Sequence, residues 1–324
     1  MSAISPSAPA FILLFFLLLF FPEQSIQGAS DGLLLWFHTV LPTLAPAMIC
    51  TRMLLLTGGD RLLIKPLRPL FCRFFALSDT GAFILLSGMI CGYPLGPALC
   101  AQALEKNRIT RKEAAYLLAF CSFPSRMFLA GYIPGQFPGP LPVGLLLLGI
   151  YLPALLLSWI AGHRFSPTAL SNSAVSENSA LPQKSKNLDS VLYDVCDIMV
   201  LIGSYLMLFS ILAHFLSRAS WLPIPLTALL CGILEMTTGI RQICSTLPPA
   251  ACLPACAACA AFGGISGIFQ TRSVIADSVC TEDRKNAGFD IRHYVRWKFL
   301  HAGFSALILT VLQLVLPLGF PPRS

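Results

Sequence analysis

An all-α polytopic membrane fold, with inverted structural repeats and two re-entrant helical hairpins, is what three features of this sequence predict. The chain has 324 residues, 56% of them hydrophobic and 11% charged, with a mean hydropathy of +0.74. Soluble proteins carry roughly 25% charged residues, so a chain this apolar belongs in a bilayer. Its apolar runs are separated by short loops holding Lys and Arg, the pattern of cytoplasmic loops. Several runs are also interrupted midway by Gly, Pro or a charge, and in lipid such a break is tolerated only where protein or a polar cavity covers it.

Four regions follow from this reading: 1–31, a first membrane helix and outside loop; 32–161, a first repeat half with a following span; 162–189, a linker; and 190–318, a second half with a final span. Residues 8–21 are strongly apolar, and no basic residue precedes Phe11, so they read as an uncleaved helix. Pro22–Asp31 carries Glu23 and Asp31 without a basic residue, which suits an outside loop. The helix 32–56 contains Pro42 and Pro46, each expected to bend it. Run 81–103 carries Gly88, Gly92, Pro94 and Gly96, so its helix should break near Gly92–Pro94. Thr110 and Glu113 have capping-box spacing for the next helix, 114–133, which is interrupted at Ser122-Phe-Pro-Ser-Arg126. A cleaner span covers 141–161, and the Ser- and Asn-rich segment 162–189 reads as a flexible cytoplasmic linker. A helix at 190–216 opens the second half. The run 223–246 breaks around Glu235-Met-Thr-Thr-Gly239, the run 250–275 breaks at Gly263-Gly-Ile-Ser-Gly267, and the last helix covers 299–318.

Charge placement separates spans from hairpins. If 81–103 and 223–246 both turn back, loops 57–80, 104–113, 162–189 and 276–298 all face the cytoplasm and hold 16 of the 22 Lys and Arg. If they cross, the basic residues of 104–113 and 162–189 are stranded outside. The hairpin assignment yields an internal repeat of helix, hairpin and broken helix. Leu85-Leu-Ser-Gly88 aligns with Leu229-Leu-Cys-Gly232, Gly96 with Gly239, and Phe120-Cys-Ser with Phe262-Gly-Gly. The first half starts outside and the second inside, so the halves are inverted. Many secondary transporters have this architecture, with the substrate site at the midplane between repeats.

The chemistry points the same way. Glu235 is the one acid deep in an apolar run, and a buried membrane acid is costly enough to be a functional candidate. Its two readings are a site for a coupling cation or proton, and a structural pair with Arg241 or Arg272. Pro94 and Thr238 stand where the second arms of the hairpins would begin, leaving helix N-termini aimed at the midplane, where anions are favoured. Arg126 and Arg272 fall in the two interrupted helices and offer a fork for carboxylates; snorkelling to an interface is the other reading of Arg272. A small organic anion and the bilayer are therefore the expected partners, with a homo-oligomer left open and no nucleic-acid surface in evidence. No hydrolase, Walker or HExxH pattern is present, the five histidines are dispersed, and no metal or other cofactor is expected. Cys252, Cys256 and Cys259 have the spacing of an iron–sulfur site, but in an alanine-rich membrane run they read as small-residue helix packing.

The segments at 87–96 (SGMICGYPLG), 105–121 (EKNRITRKEAAYLLAFC), 232–241 (GILEMTTGIR) and 262–266 (FGGIS) resemble the sporulation integral membrane protein YlbJ (SpoVV) family, within the wider group bearing the nucleoside-recognition gate domain. The resemblance runs from about residue 32 to 275. It implies movement of dipicolinic acid, a small aromatic dicarboxylate, toward the developing spore, and a place in the membrane around the forespore. The site residues it implies are Gly92, Tyr93, Pro94, Gly96, Glu235, Thr237, Thr238, Gly239, Gly263, Gly264 and Ser266; Ser122, Ser125 and Arg126 join them from the interrupted helix. Where family members carry an Asn-rich segment after the Phe-Cys, this chain has Ser122-Phe-Pro-Ser-Arg126, which exchanges amides for an arginine. The other substrates to weigh are nucleosides and other carboxylates, and a non-transporting scaffold is the alternative outside transport.

The topology is testable by labelling. A cysteine introduced as Asn107→Cys should react only from the cytosol and one introduced as Leu247→Cys only from the far side; any other pattern removes the opposed hairpins.

Overall fold

The computed structural model describes residues 8–165, 187–276 and 289–316. Among them the secondary structure is helical throughout. Five helical segments are long and apolar enough to cross a bilayer: Pro22–Thr57, Val143–Gly162, Leu188–Ser217, Pro249–Ile275 and Ile291–Val315. Large apolar side chains such as Phe11, Trp159 and Leu314 point outward, where a soluble fold would place charge. The chain is a multi-pass membrane protein. Most of the linker 162–189, and Arg284 and Lys285 of the last loop, lie outside the described residues.

Helix α1 (Ala8–Phe20) is apolar on every side and stops before Pro22, which cannot donate to continue it. Pro22 instead occupies the first turn of α2 (Pro22–Leu35). The expected outside loop Pro22–Asp31 is therefore helical. Its small residues explain why: a Cβ on Gly28 would lie 2.8 Å from Ile211 Cα, and one on Gly32 2.8 Å from the Leu206 carbonyl oxygen. Helix α2 thus lies directly on the backbone of α11 (Leu188–Ser217). A π turn at Trp36–Val40 then leads into α3 (Leu41–Thr57), with the Leu41 amide bonded to Trp36, five residues back. Pro42 follows at once; its ring would clash with the carbonyl four residues earlier, and a wider turn relieves this. A second π turn, Phe128–Tyr132, likewise precedes a proline, Pro134.

Helices α4 (Gly59–Ile64) and α5 (Arg68–Phe75) lead to α6 (Asp79–Cys91), which is joined through Gly92-Tyr93-Pro94 to α7 (Leu95–Glu105). Helix α8 (Arg111–Leu118) starts as the sequence indicates, with Thr110 accepting from the Glu113 amide at 3.2 Å. The Glu113 carboxylate does not close the box. It accepts from the Ser78 amide at 2.8 Å and so ties the start of α8 to the start of α6. Burial raises this carboxyl above its ordinary range, and the bonds from Ser78 draw it back. Residues 121–125 belong to no helix, after which the chain runs through the second π turn into α9 (Ile133–Gln136) and on to α10 (Val143–Phe165). In the second half, α11 is followed by α12 (Ile224–Leu234), α13 (Met236–Thr246), α14 (Pro249–Phe262), α15 (Gly264–Ala276) and α16 (Ile291–Val315). Helix α16 begins eight residues before the expected 299, so Arg292, Arg296 and Lys298 are helical and not part of a loop.

Both helix–turn–helix units close on glycine. The ideal Cβ of Gly96 would overlap the Cys121 carbonyl oxygen, as would that of Gly88, and the Gly88 position lies 3.4 Å from Gly96 Cα. A Cβ on Gly239 would overlap the backbone of Gly232. Gly239→Ala should therefore cost about 1–3 kcal/mol by overpacking. Gly303, with nothing within 4 Å, should accept alanine without loss. Thermal unfolding of the two variants in detergent checks the contrast.

Candidate functional site

Four interruptions of helix meet at one place: Gly92–Pro94, Cys121–Ser125, Glu235 and Gly263. The first two are joined backbone to backbone, and side chains serve most of the rest. The Tyr93 amide, freed by the end of α6, donates to the Phe123 carbonyl at 2.8 Å. Gly92 allows this approach: its φ is +89°, and a Cβ there would stand 2.7 Å from the Ser125 nitrogen. The Ser122 carbonyl accepts from Lys298 Nζ at 3.2 Å, and the Ser122 hydroxyl lies 3.0 Å from the Tyr294 hydroxyl. Across the junction, the Tyr132 hydroxyl donates to the Thr237 carbonyl at 3.0 Å. The Tyr93 ring rests over Gly263, where a Cβ would lie 3.2 Å from the ring, and its hydroxyl meets the Met236 sulfur.

Glu235 caps α13. Its carboxylate accepts from the Thr237 amide at 3.0 Å, the Thr238 amide at 2.8 Å and the Thr237 hydroxyl. Only 1% of the residue is exposed. This corrects two expectations. The cap is Glu235 itself, with Thr238 three residues into the helix, and among the described residues no arginine forms an ion pair with it. Arg241 bridges to Asp31 at 2.8 Å, and Arg272 is exposed near the end of α15. A carboxylate between two turn-one amides satisfies the helix end and favours the positive pole of its dipole, so no arginine is required.

The junction lines a partly open cavity of about 80 Å³, room for several waters at roughly 10–15 Å³ each. Of the expected site residues, Tyr93, Ser125, Glu235, Thr237, Gly263 and Ser266 line it. The others stand behind it. Pro94 precedes α7, and Gly92, Gly96, Gly239 and Gly264 set the close approach of backbones. Thr238 supplies a cap amide and Ser122 holds Tyr294 and Lys298. Arg126 is not brought to the cavity: it is exposed, and its guanidinium lies beside Tyr151. Arg126 opens the helical turn that follows the non-helical segment 121–125, outside the residues that line the cavity.

Two groups of residues escape the sequence reading. Thr39 and Thr43, one helical turn apart beside the first π turn, complete the cavity wall together with Gln270, whose amide donates to the Ser266 hydroxyl at 3.1 Å. Lys298 is 3% exposed, lies 5.2 Å from the centre of the Tyr93 ring, and is a core residue assigned by sequence to a cytoplasmic loop. Its signal was present. Tyr294, Lys298, His301 and Ser305 fall on one helical stripe, and all four are buried.

These features define a multi-pass helical protein of the cell membrane with an acid and a lysine buried at a junction of broken helices. The chain is similar to the sporulation integral membrane protein YlbJ of Bacillus subtilis (strain 168), with 31% identity over 126 residues. That match covers 39% of this chain and 31% of the relative, so it spans under a third of that protein's length. No family model and no solved structure matches the chain.

Removing the Glu235 cap should be measurable in the fold itself. Glu235→Ala should lower stability by about 1–2 kcal/mol, and Glu235→Gln, which keeps one acceptor, by less; unfolding midpoints in detergent give the order.

Proposed function

We propose that the protein is a secondary transporter or facilitator for a small organic anion, with two re-entrant hairpins inserted from opposite sides and substrate held between their tips. The observation that carries this is the cavity at the meeting of all four helix breaks, with the buried Glu235 on its wall. The hairpin reading is supported by length. Arms of 11–13 residues rise about 16–20 Å, short of a hydrocarbon core of about 30 Å.

Polar contacts support the opposed orientation. Asp60 accepts from Arg108, just past the end of the first hairpin, at 2.7 Å, and from Thr80, at its start, at 3.3 Å. Nearby Arg52 pairs at 3.5 Å with Asp194, at the start of α11. The second hairpin is tied to the other end of α11: Ile224, Thr246 and Ser217 share one surface recess. Arg218 there bonds to Gln27 at 3.2 Å, and Arg241 to Asp31. The two hairpins thus open toward opposite ends of a 30-residue helix.

Dipicolinate, the ligand implied by the resemblance to the sporulation family, is the first substrate to test, and a role in spore formation goes with it. Glu235 is the group for a coupling proton or cation, since an anion beside a buried carboxylate needs the charge neutralised. The same carboxylate supports a second reading, a neutral nucleoside-like substrate, which meets no such repulsion. Neither reading includes catalysis.

Flux into proteoliposomes of dipicolinate, aliphatic carboxylates and nucleosides tests the proposal. Glu235→Gln should reduce flux at least tenfold at equal reconstituted protein, whereas Arg126→Ala, outside the cavity, should change it little. No flux of any solute would leave a scaffold.

A further inference from the structure

The cysteines offer a different chemistry. Cys259, grouped by sequence spacing with Cys252 and Cys256, turns away and donates to the Gly232 carbonyl at 3.5 Å. Its place is taken by Cys244, from the last turn of α13. Cys252 and Cys256, one turn apart on α14, face it across the Leu247–Pro248 turn. The three sulfurs form a nearly equilateral triangle: Cys244 to Cys256 is 3.4 Å, Cys244 to Cys252 is 3.5 Å and Cys252 to Cys256 is 3.7 Å. All three residues are buried.

We infer that Cys244, Cys252 and Cys256 form a binding site for a single thiophilic d10 metal ion, Cu(I) being the best fit. The geometry needs little adjustment. For a metal–thiolate distance of about 2.3 Å, a point roughly 1 Å above the plane of the sulfurs is equidistant from all three. Hard cations are excluded, because every donor is sulfur. Zn(II) prefers a fourth ligand, and no fourth His, Cys, Asp or Glu among the described residues joins the cluster. Cu(I) is selected by soft thiolate donors. Cys252 lies in the first turns of α14, where the helix dipole favours a thiolate. Each ligating thiol releases its proton on binding. Access is short: Ser245 and Pro248, next to the cluster in sequence, are exposed. The site ties the second hairpin to α14, so the bound ion would brace that hairpin whatever the protein carries.

The test uses the reduced full-length protein in detergent, titrated with Cu(I) against a chromophoric chelator, and in parallel with Zn(II). One equivalent of Cu(I) should be retained, with new sulfur-to-metal absorbance in the ultraviolet. Cys256→Ser should lower retention at least tenfold, and Cys259→Ser should leave it unchanged. One equivalent of Zn(II) lost in Cys256→Ser would support the site with zinc in place of copper. Retention of neither metal, or equal retention in Cys256→Ser and the parent, would overturn it. Should Cys256→Ser fail to fold, the parent protein decides: Cu(I) should protect these three cysteines from alkylation, read by peptide mass, and unchanged labelling of all three refutes the site.

Discussion

A helix that breaks inside a bilayer frees amides and carbonyls where no water is present to take them. Here the breaks take one another. The Tyr93 amide goes to Phe123, the Ser122 carbonyl to Lys298, the two amides after Glu235 to its own carboxylate, and the Thr237 carbonyl to Tyr132. Apart from the Glu235 cap, each of these solutions draws on another element. The junction assembles as a unit, and the cavity is the space its lining side chains leave.

This dependence explains where the expensive residues lie. Glu235 and Lys298 are ionisable groups in an apolar surrounding, and each is spent on backbone that helix geometry cannot serve. The glycines at 88, 96, 232 and 239 have the complementary task of letting backbones approach closely enough for those bonds. A group that holds a break closed is also well placed to respond when the break moves, so the capping role of Glu235 and the transport role proposed for it do not compete.

The two parts of the chain solve the break differently. In the first, seven non-helical residues, 119–125, separate α8 from the following helical turn, and a lysine from α16 bonds to one of their carbonyls. In the second, α14 gives way to α15 through Gly263, with φ +81°, and little backbone is freed. The first helix–turn–helix unit carries a tyrosine at its turn and the second a carboxylate. The cavity is therefore unlike on its two sides: aromatic and hydroxylic on one, acidic on the other.

Composition and hydropathy by themselves determined the membrane class. Glycine, proline and the lone deep acid marked where helices would stop, because those effects act within a turn or two of chain. Local chemistry also located most of the residues that meet at the junction. What it could not tell was which partner each freed group would find. Glu113 has the spacing for a local box yet bonds across to Ser78, and Glu235 caps its own helix although arginines lie nearby in sequence. Arg126 and Lys298 exchanged their expected places, one outside the cavity and the other in the core, because a side chain's direction depends on helical phase and on which face is covered. Only the tertiary structure decided those pairings, since a backbone group stripped of water bonds to whatever packing brings within 3 Å, however distant in the chain.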